Sequence, residues 1–208
     1  MSTIHVPTRW GAIPASYSFV QQTPSSSKLA VLFPGFAYPL DAPLMRYAAS
    51  AAYDSGCDVL GVEYGYQANR ADLQEEDQSY LVDEIVVALK NNIGQQYSNV
   101  VFIGKSLGTI IQTEVARNIG FSVENHVFLT PLRKVIPSIR DAENALVVVG
   151  DNDSLFNSSD ISEVANLPNV QLHVLSGANH QLETDNYRES IDLLKTTAML
   201  CGGFCKHL

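Results

Sequence analysis

Short apolar runs alternate along this chain with longer segments in which apolar residues recur at helical spacing. A loosely alternating segment at residues 17–23 predicts one strand. Continuous apolar runs predict the others, because a strand buried on both faces of a sheet carries apolar side chains at nearly every position. These runs lie at residues 29–33, 57–62, 99–103, 126–129, 145–149 and 170–175.

Helices are predicted between these strands. One extends over residues 41–55, with Asp41 as N-cap and Gly56 as the residue that ends it. The most regular has apolar residues on a single face, at positions 81, 82, 85, 86 and 89. Three more are expected at residues 109–117, 158–165 and 187–200, and residues 63–77 are predicted to form a loop.

This order of elements predicts an α/β fold in a single domain, residues 1–208. Strands that alternate with helices form a mostly parallel sheet, here of about seven strands, with helices on both faces. A chain of 208 residues is long enough for one sizeable core. No internal repeat or low-complexity segment suggests a second domain.

Composition narrows the class of protein. Hydrophobic residues make up 46% and charged residues 17% of the chain, as in ordinary globular proteins. The net charge of −9 argues against a nucleic-acid partner, because phosphate contacts need clustered Lys and Arg. No apolar run approaches the length that spans a bilayer, and no secretory signal is recognisable, so no membrane partner is expected.

Cysteine usage indicates a reducing compartment, and the expected location is cytoplasmic. Cys57, Cys201 and Cys205 are too few for a disulfide scaffold. The last two are predicted to be incidental thiols near a frayed C-terminus. No paired His and Cys residues complete a zinc site, so neither a metal nor a cofactor is expected. The oligomeric state is left open.

A Gly-x-Ser-x-Gly pattern lies at residues 104–108, between a predicted strand and a predicted helix. A sharp turn there brings the two elements close together, which explains Gly104 and Gly108 sterically. A serine on such a turn is a nucleophile elbow, and the N–H groups at the helix start favour an anion beside it. Ser106 is therefore the predicted nucleophile, the alternative being a serine that merely caps the helix.

A serine hydroxyl needs a neighbouring base, and histidine is the usual one at neutral pH. His180 lies in a loop directly after the last predicted strand, at the same sheet edge from which Ser106 emerges. The other histidines lie in predicted strands or near the chain ends: His5, His126, His173 and His207. His180 is the predicted base.

An acid that orients the histidine should follow an earlier strand at the same edge. Asp151 and Asp153 both follow the strand at residues 145–149, and spacing alone does not separate them. Glu183 is a weaker third candidate.

The negative charge that develops on a substrate oxygen needs N–H donors. Leu107, directly after the nucleophile, is expected to supply one, and Phe36, after the turn at Gly35, the other. Tyr38, Tyr64 and Tyr66 are expected to line the substrate site, with half-buried packing as the alternative. Lys105 is expected to form a salt bridge with a nearby acid; a minor hypothesis is that it holds an anionic substrate.

These motifs resemble those of the α/β-hydrolase superfamily. They occur in the same order along the chain as in that family, and the resemblance extends over nearly the whole chain. Phe33-Pro34-Gly35-Phe36 is similar to the oxyanion loop, with Pro34 where the family commonly has His. Gly150-Asp151-Asn152-Asp153 resembles the family's acid turn and implies Asp153 over Asp151. Gly177-Ala178-Asn179-His180 is similar to its histidine motif. The short connection between the strands at residues 126–129 and 145–149 resembles the lidless members.

The resemblance implies a serine hydrolase acting on a small carboxylic ester or thioester. The chain resembles dienelactone-hydrolase-like proteins and small esterases. The dienelactone hydrolases proper, however, use a cysteine where this chain has Ser106. Ser106, His180 and Asp153 would form the triad, in an open site that prefers short acyl groups. Two alternatives are an acyltransferase with the same triad and a non-catalytic binding protein, since a fold does not guarantee a chemistry.

Overall fold

The computed structural model describes residues 1–93 and 97–208. Its strands are β1 (Ser2–Val6), β2 (Ala15–Val20), β3 (Lys28–Phe33), β4 (Asp58–Gly61), β5 (Asn99–Lys105), β6 (Asn125–Leu129), β7 (Asn144–Gly150) and β8 (Val170–Leu175). Its α-helices are α1 (Pro43–Asp54), α2 (Gly65–Asn69), α3 (Gln78–Asn92), α4 (Leu107–Asn118), α5 (Ile136–Asp141), α6 (Ser158–Val164) and α7 (Tyr187–Lys206).

The strands form one sheet in the order β1-β2-β4-β3-β5-β6-β7-β8. β1 pairs antiparallel with β2, and β2 antiparallel with β4, whereas the remaining neighbours are parallel. Phe33 lies opposite Gly104, and Lys105 lies opposite Leu129. The segments that leave β3, β5 and β6 therefore start side by side at one edge of the sheet.

Helices cover both faces because the central strands are apolar on both. Leu29, Val31 and Phe33 of β3 pack into one cluster with residues of α3 and α4. Ala30 and Leu32 point to the other face, where α1 and α7 pack. The period of two along a strand thus divides a single apolar run between two layers of core.

The sequence predicted about seven strands, and the described residues contain an eighth, β1. Of its five residues only Val6 is buried. The strand therefore has no alternation of buried apolar and exposed polar residues that would identify it in the sequence. β1 lies at the edge of the sheet, where one side of the strand meets solvent.

Two local predictions were wrong. Residues 63–77 are not simply a loop, because α2 and a 3₁₀ turn at Glu75–Asp77 lie within them. Asp41 is not the N-cap of α1; that position is Ala42, and Pro43 opens the helix. Proline is tolerated in the first turn because its missing N–H has no helical partner there anyway.

The C-terminus is not frayed. α7 continues to Lys206, so Cys201 and Cys205 lie inside the helix and are fully buried against the sheet. Cys57 is buried in the same cluster, and all three thiols are free. None of the described helices combines the length and the apolar character needed to cross a bilayer.

Candidate active site

Ser106 occupies a strained turn between β5 and α4. Its φ of 51° and ψ of −114° lie outside the regions that non-glycine residues normally adopt, at a cost of about 1–3 kcal/mol. A Cβ on Gly108 would lie 2.0 Å from the Phe33 carbonyl oxygen, and one on Gly104 would lie 2.5 Å from the Gly108 carbonyl oxygen. Both positions therefore need glycine, and the turn raises a partly exposed Ser106 above the sheet edge.

His180 meets Ser106 at this edge. Its Nε2 lies 2.8 Å from the Ser106 Oγ, which is hydrogen-bonding distance, and its side chain is 20% exposed. The loop after β8 carries His180 back over the ends of the neighbouring strands. His126, by contrast, is buried in β6, where burial lowers its pKa to about 4.

Asp153, and not Asp151, contacts the histidine. The Asp153 Oδ2 lies 2.8 Å from the His180 Nδ1, and its Oδ1 accepts a hydrogen bond from the Leu155 N–H. The Asp151 carboxylate instead accepts from the Gly177 N–H at 2.6 Å and is exposed. Glu183 is exposed and its side chain makes no hydrogen bond to His180 among the described residues.

The loops that carry Asp153 and His180 are packed directly against each other. A Cβ on Gly150 would lie 1.9 Å from the Ala178 carbonyl oxygen, so glycine is required where β7 ends. The Asn152 N–H donates to that same carbonyl at 3.0 Å. This contact sets the separation between the acid and the base independently of their side chains.

The predicted oxyanion donors are the N–H groups of Leu107 and Phe36. The carbonyl of each of these two peptide units is held by a hydrogen bond from another residue. The Ser106 carbonyl accepts from the Thr109 N–H and hydroxyl, at 2.9 and 2.6 Å. The Gly35 carbonyl accepts from the Gln67 amide at 2.9 Å. Since N–H and C=O point in opposite directions across a trans peptide, these bonds aim the N–H groups of Leu107 and Phe36 away from Thr109 and Gln67.

Residues of α2 and its flank hold the rest of this loop. The Tyr64 hydroxyl donates to the Pro34 carbonyl at 3.0 Å, and the Tyr66 hydroxyl donates to the Phe36 carbonyl at 2.7 Å. The sequence did not predict that Gln67 and Thr109 hold these peptides, because neither residue belongs to a recognisable motif.

A family model described as an alpha/beta hydrolase domain matches residues 27–201. The chain belongs to the α/β-hydrolase family. Comparison with curated proteins gives no match. The family resemblance stated from the sequence and the predicted fold class are thereby confirmed.

Solved structures share the fold of this α/β-hydrolase at low sequence identity. An α/β serine hydrolase homologue from Coxiella burnetii is 15% identical, with a TM-score of 0.70 and 95% of both chains covered. A serine hydrolase without a lid from Xanthomonas campestris is 15% identical, with a TM-score of 0.67 over 94% of this chain and 91% of that one. The Pyrococcus furiosus esterase Pf2001 is 14% identical, with a TM-score of 0.73 over 99% and 91%.

This α/β-hydrolase has no large lid. Only residues 130–143 connect β6 to β7, and they contain a 3₁₀ turn and the short helix α5. Phe36, in the loop beside Ser106, is 53% exposed. The prediction of a lidless molecule is confirmed.

The tyrosines expected to line the site have different positions. Tyr38 is half-buried, and its hydroxyl accepts from the Leu44 N–H. Tyr64 is entirely buried beneath the Pro34 carbonyl, where burial raises its pKa, and Tyr66 is almost so. The expectation that Tyr64 contacts substrate is therefore wrong, because its ring has no exposed surface.

A mainly apolar cavity of about 380 Å³ adjoins the site. Tyr38 forms one wall, and Gln181 and Leu182, which follow His180, form another. The cavity lies between the starts of α1 and α7. Within residues 1–93 and 97–208 no group of three or more His, Cys, Asp or Glu side chains could hold a metal ion.

Lys105 does not form the expected salt bridge. It is 3% exposed, and its Nζ donates to the His180 carbonyl at 3.2 Å. Among the described residues no carboxylate lies within salt-bridge distance of it. Its burial also separates the ammonium group from any substrate anion at the surface.

Proposed function

We propose that this chain is a serine hydrolase that cleaves a small carboxylic ester or thioester through an acyl-enzyme on Ser106. The observation that carries the proposal is the chain of two 2.8 Å contacts from Asp153 through His180 to Ser106. Each contact joins the atoms that a nucleophile, a base and an orienting acid require.

Acylation follows from this arrangement. Ser106 Oγ attacks the substrate carbonyl carbon while its proton passes to His180 Nε2. Asp153, whose side chain is 0% exposed, accepts a hydrogen bond from the His180 Nδ1–H and stabilises the imidazolium that forms. The N–H groups of Phe36 and Leu107 donate to the carbonyl oxygen as it becomes an anion; losing one such donor typically costs about 3–4 kcal/mol.

The tetrahedral intermediate then collapses. The bond from carbon to the leaving oxygen or sulfur breaks, and His180 returns its proton to the alcohol or thiol. Water attacks the acyl-enzyme by the same steps, with His180 as base, and releases the carboxylic acid and free Ser106.

Labelling with a fluorophosphonate tests this function. We expect the wild-type chain to gain the mass of one phosphonyl group, and the Ser106→Ala variant to gain none. Ser122 is exposed and lies outside the site, so Ser122→Ala is the matched control and should label as the wild type does. Ester turnover by Ser106→Ala should fall by about 10⁴-fold or more.

Folded wild-type protein that neither labels nor hydrolyses any aryl ester or thioester would overturn the proposal and favour a binding protein. If labelling occurs but release of free acid is slow unless an alcohol or amine is added, the acyl group goes to an acceptor other than water.

A further inference from the structure

Lys105 touches three of the segments that build the proposed active site: the turn at Ser106, the loop that carries His180 and the loop that carries Phe36. It is bonded directly to Ser106, and its side chain turns away from the substrate face into the protein. Its Nζ reaches the carbonyl of His180, 75 residues further along the chain. A Cβ placed on Gly35 would lie 3.4 Å from its Cδ, so its aliphatic stem packs against the loop that carries Phe36.

The ammonium group has few other partners. It lies over the ring of Tyr38, 4.9 Å from the centroid, a weak cation–π contact. The charges of Asp153 and Glu183 favour its protonated form but lie beyond salt-bridge distance. With His180 and Tyr38, these are the titratable groups among the described residues that face it from the surrounding loops. The His180 carbonyl is therefore its principal hydrogen-bond acceptor.

Apart from the two bonds of the His180 imidazole, the other bonds described here tie the His180 loop to itself or to the turn that follows β7. The Asn179 N–H donates to the Glu183 carbonyl, and Asn179 Oδ1 accepts from the N–H groups of Gln181 and Glu183. The Gly177 N–H donates to Asp151. The bond from Lys105 differs, because it fixes the peptide of the base itself to the strand that carries the nucleophile.

We propose that Lys105 is a positioning residue, whose protonated ammonium holds the His180 peptide so that the imidazole stays within reach of Ser106. This inference rests on the proposed hydrolase function. A hydrogen bond from a cation is about twice as strong as one from a neutral donor. Because small displacements of a catalytic group lower rates steeply, loss of this bond should act on turnover more than on binding.

A pH dependence follows, with a definite sign. Burial lowers the pKa of Lys105 to about 8, against the opposing effect of the two carboxylates. The protonated form is the one that holds His180 firmly. Activity should therefore fall as the pH rises through about 8, since the neutral amine donates a weaker bond.

The experiment compares Lys105→Met and Lys105→Arg with Lys195→Met, a control that removes an exposed lysine from α7. We expect Lys105→Met to lower kcat by about 10- to 100-fold with KM changed less than about 3-fold. Its kcat profile should lack the fall near pH 8. Arginine stays protonated, so Lys105→Arg should also lack that fall, whatever its absolute rate. The control should match the wild type.

A wild-type kcat and an unchanged alkaline fall in Lys105→Met would overturn the inference. If that variant does not fold, Lys105→Arg decides: an alkaline fall like that of the wild type refutes the role of Lys105. Fluorophosphonate labelling of the wild type separates the two proposals. A labelled wild type with unaffected Lys105 variants removes only the positioning role, whereas a folded wild type that neither labels nor hydrolyses any aryl ester or thioester removes both.

Discussion

Asp151 and Asp153 are two residues apart, yet their carboxylates have different surroundings. Asp153 is buried and meets the imidazole of His180, whereas Asp151 is exposed and accepts a backbone N–H from Gly177. A buried carboxylate can fix one tautomer of the imidazole and stabilise its cation. At the scale of single residues, the turn after β7 thus gives Asp153 the position of a candidate catalytic acid and gives Asp151 a position in which it stabilises the neighbouring loop.

Exchange of each carboxylate for an amide tests this division. Asp153→Asn should lower kcat by about 10³- to 10⁴-fold, because an amide can stabilise the wrong imidazole tautomer and carries no charge. Asp151→Asn keeps an oxygen that accepts from Gly177 and should leave kcat within about 3-fold of the wild type. Steady-state kinetics on an aryl ester measures both. The reverse order of effects would contradict the assignment of Asp153.

At the scale of elements, α2 supports the loop that follows β3. Side chains at its start hold three successive carbonyls of that loop, those of Pro34, Gly35 and Phe36. Residues 63–77 were predicted to be a loop, because α2 is only one and a half turns long and carries no amphipathic pattern. Its contribution to the site depends on contacts and not on its own stability.

Gln67 gives a test of that support. Gln67→Leu removes the side-chain donor to the Gly35 carbonyl and leaves it only the long, 3.5 Å bond from the Tyr38 N–H. The Phe36 peptide should then be held less firmly, and kcat should fall by about 10-fold. KM and the thermal midpoint should change little, since Gln67 is only partly buried. Gln21→Leu, at an exposed position after β2, is the matched control. Equal kcat values for the two variants would remove Gln67 from the positioning of the proposed oxyanion donor.

At the scale of the whole molecule, the short connection from β6 to β7 leaves the edge of the sheet uncovered. Larger relatives of a fold can enclose a long apolar chain beneath an inserted segment, but residues 130–143 are too few for one. The apolar recess beside Tyr38 holds about 380 Å³. An open site removes little of a long acyl chain from water, so a longer chain adds little binding free energy.

Esters of increasing acyl length test the open site. We expect kcat/KM for aryl esters to be highest for short acyl chains of about two to four carbons and to fall for longer ones, because each added methylene gains about 0.8 kcal/mol only where it is buried. All esters should be kept below their micellar concentrations. A steady rise of kcat/KM towards long chains would show that the molecule covers its substrate.

The sequence by itself determined the alternation of most strands and helices along the chain and the place of the candidate nucleophile. Both follow from local causes: apolar periodicity specifies the elements, and the steric needs of Gly104 and Gly108 specify the turn at Ser106. β1 escaped prediction because an edge strand with little burial leaves no pattern.

Only the tertiary structure decided which side chains meet. Spacing left Asp151 and Asp153 open and only the family resemblance implied Asp153; the structure brings Asp153 to His180. It also buries Tyr64, which was expected to line the substrate site, under the loop after β3, and directs Lys105 to a carbonyl instead of a carboxylate. Each outcome joins residues that lie 27 to 75 positions apart. Such contacts depend on how loops pack over the sheet edge, which no local pattern of residues encodes.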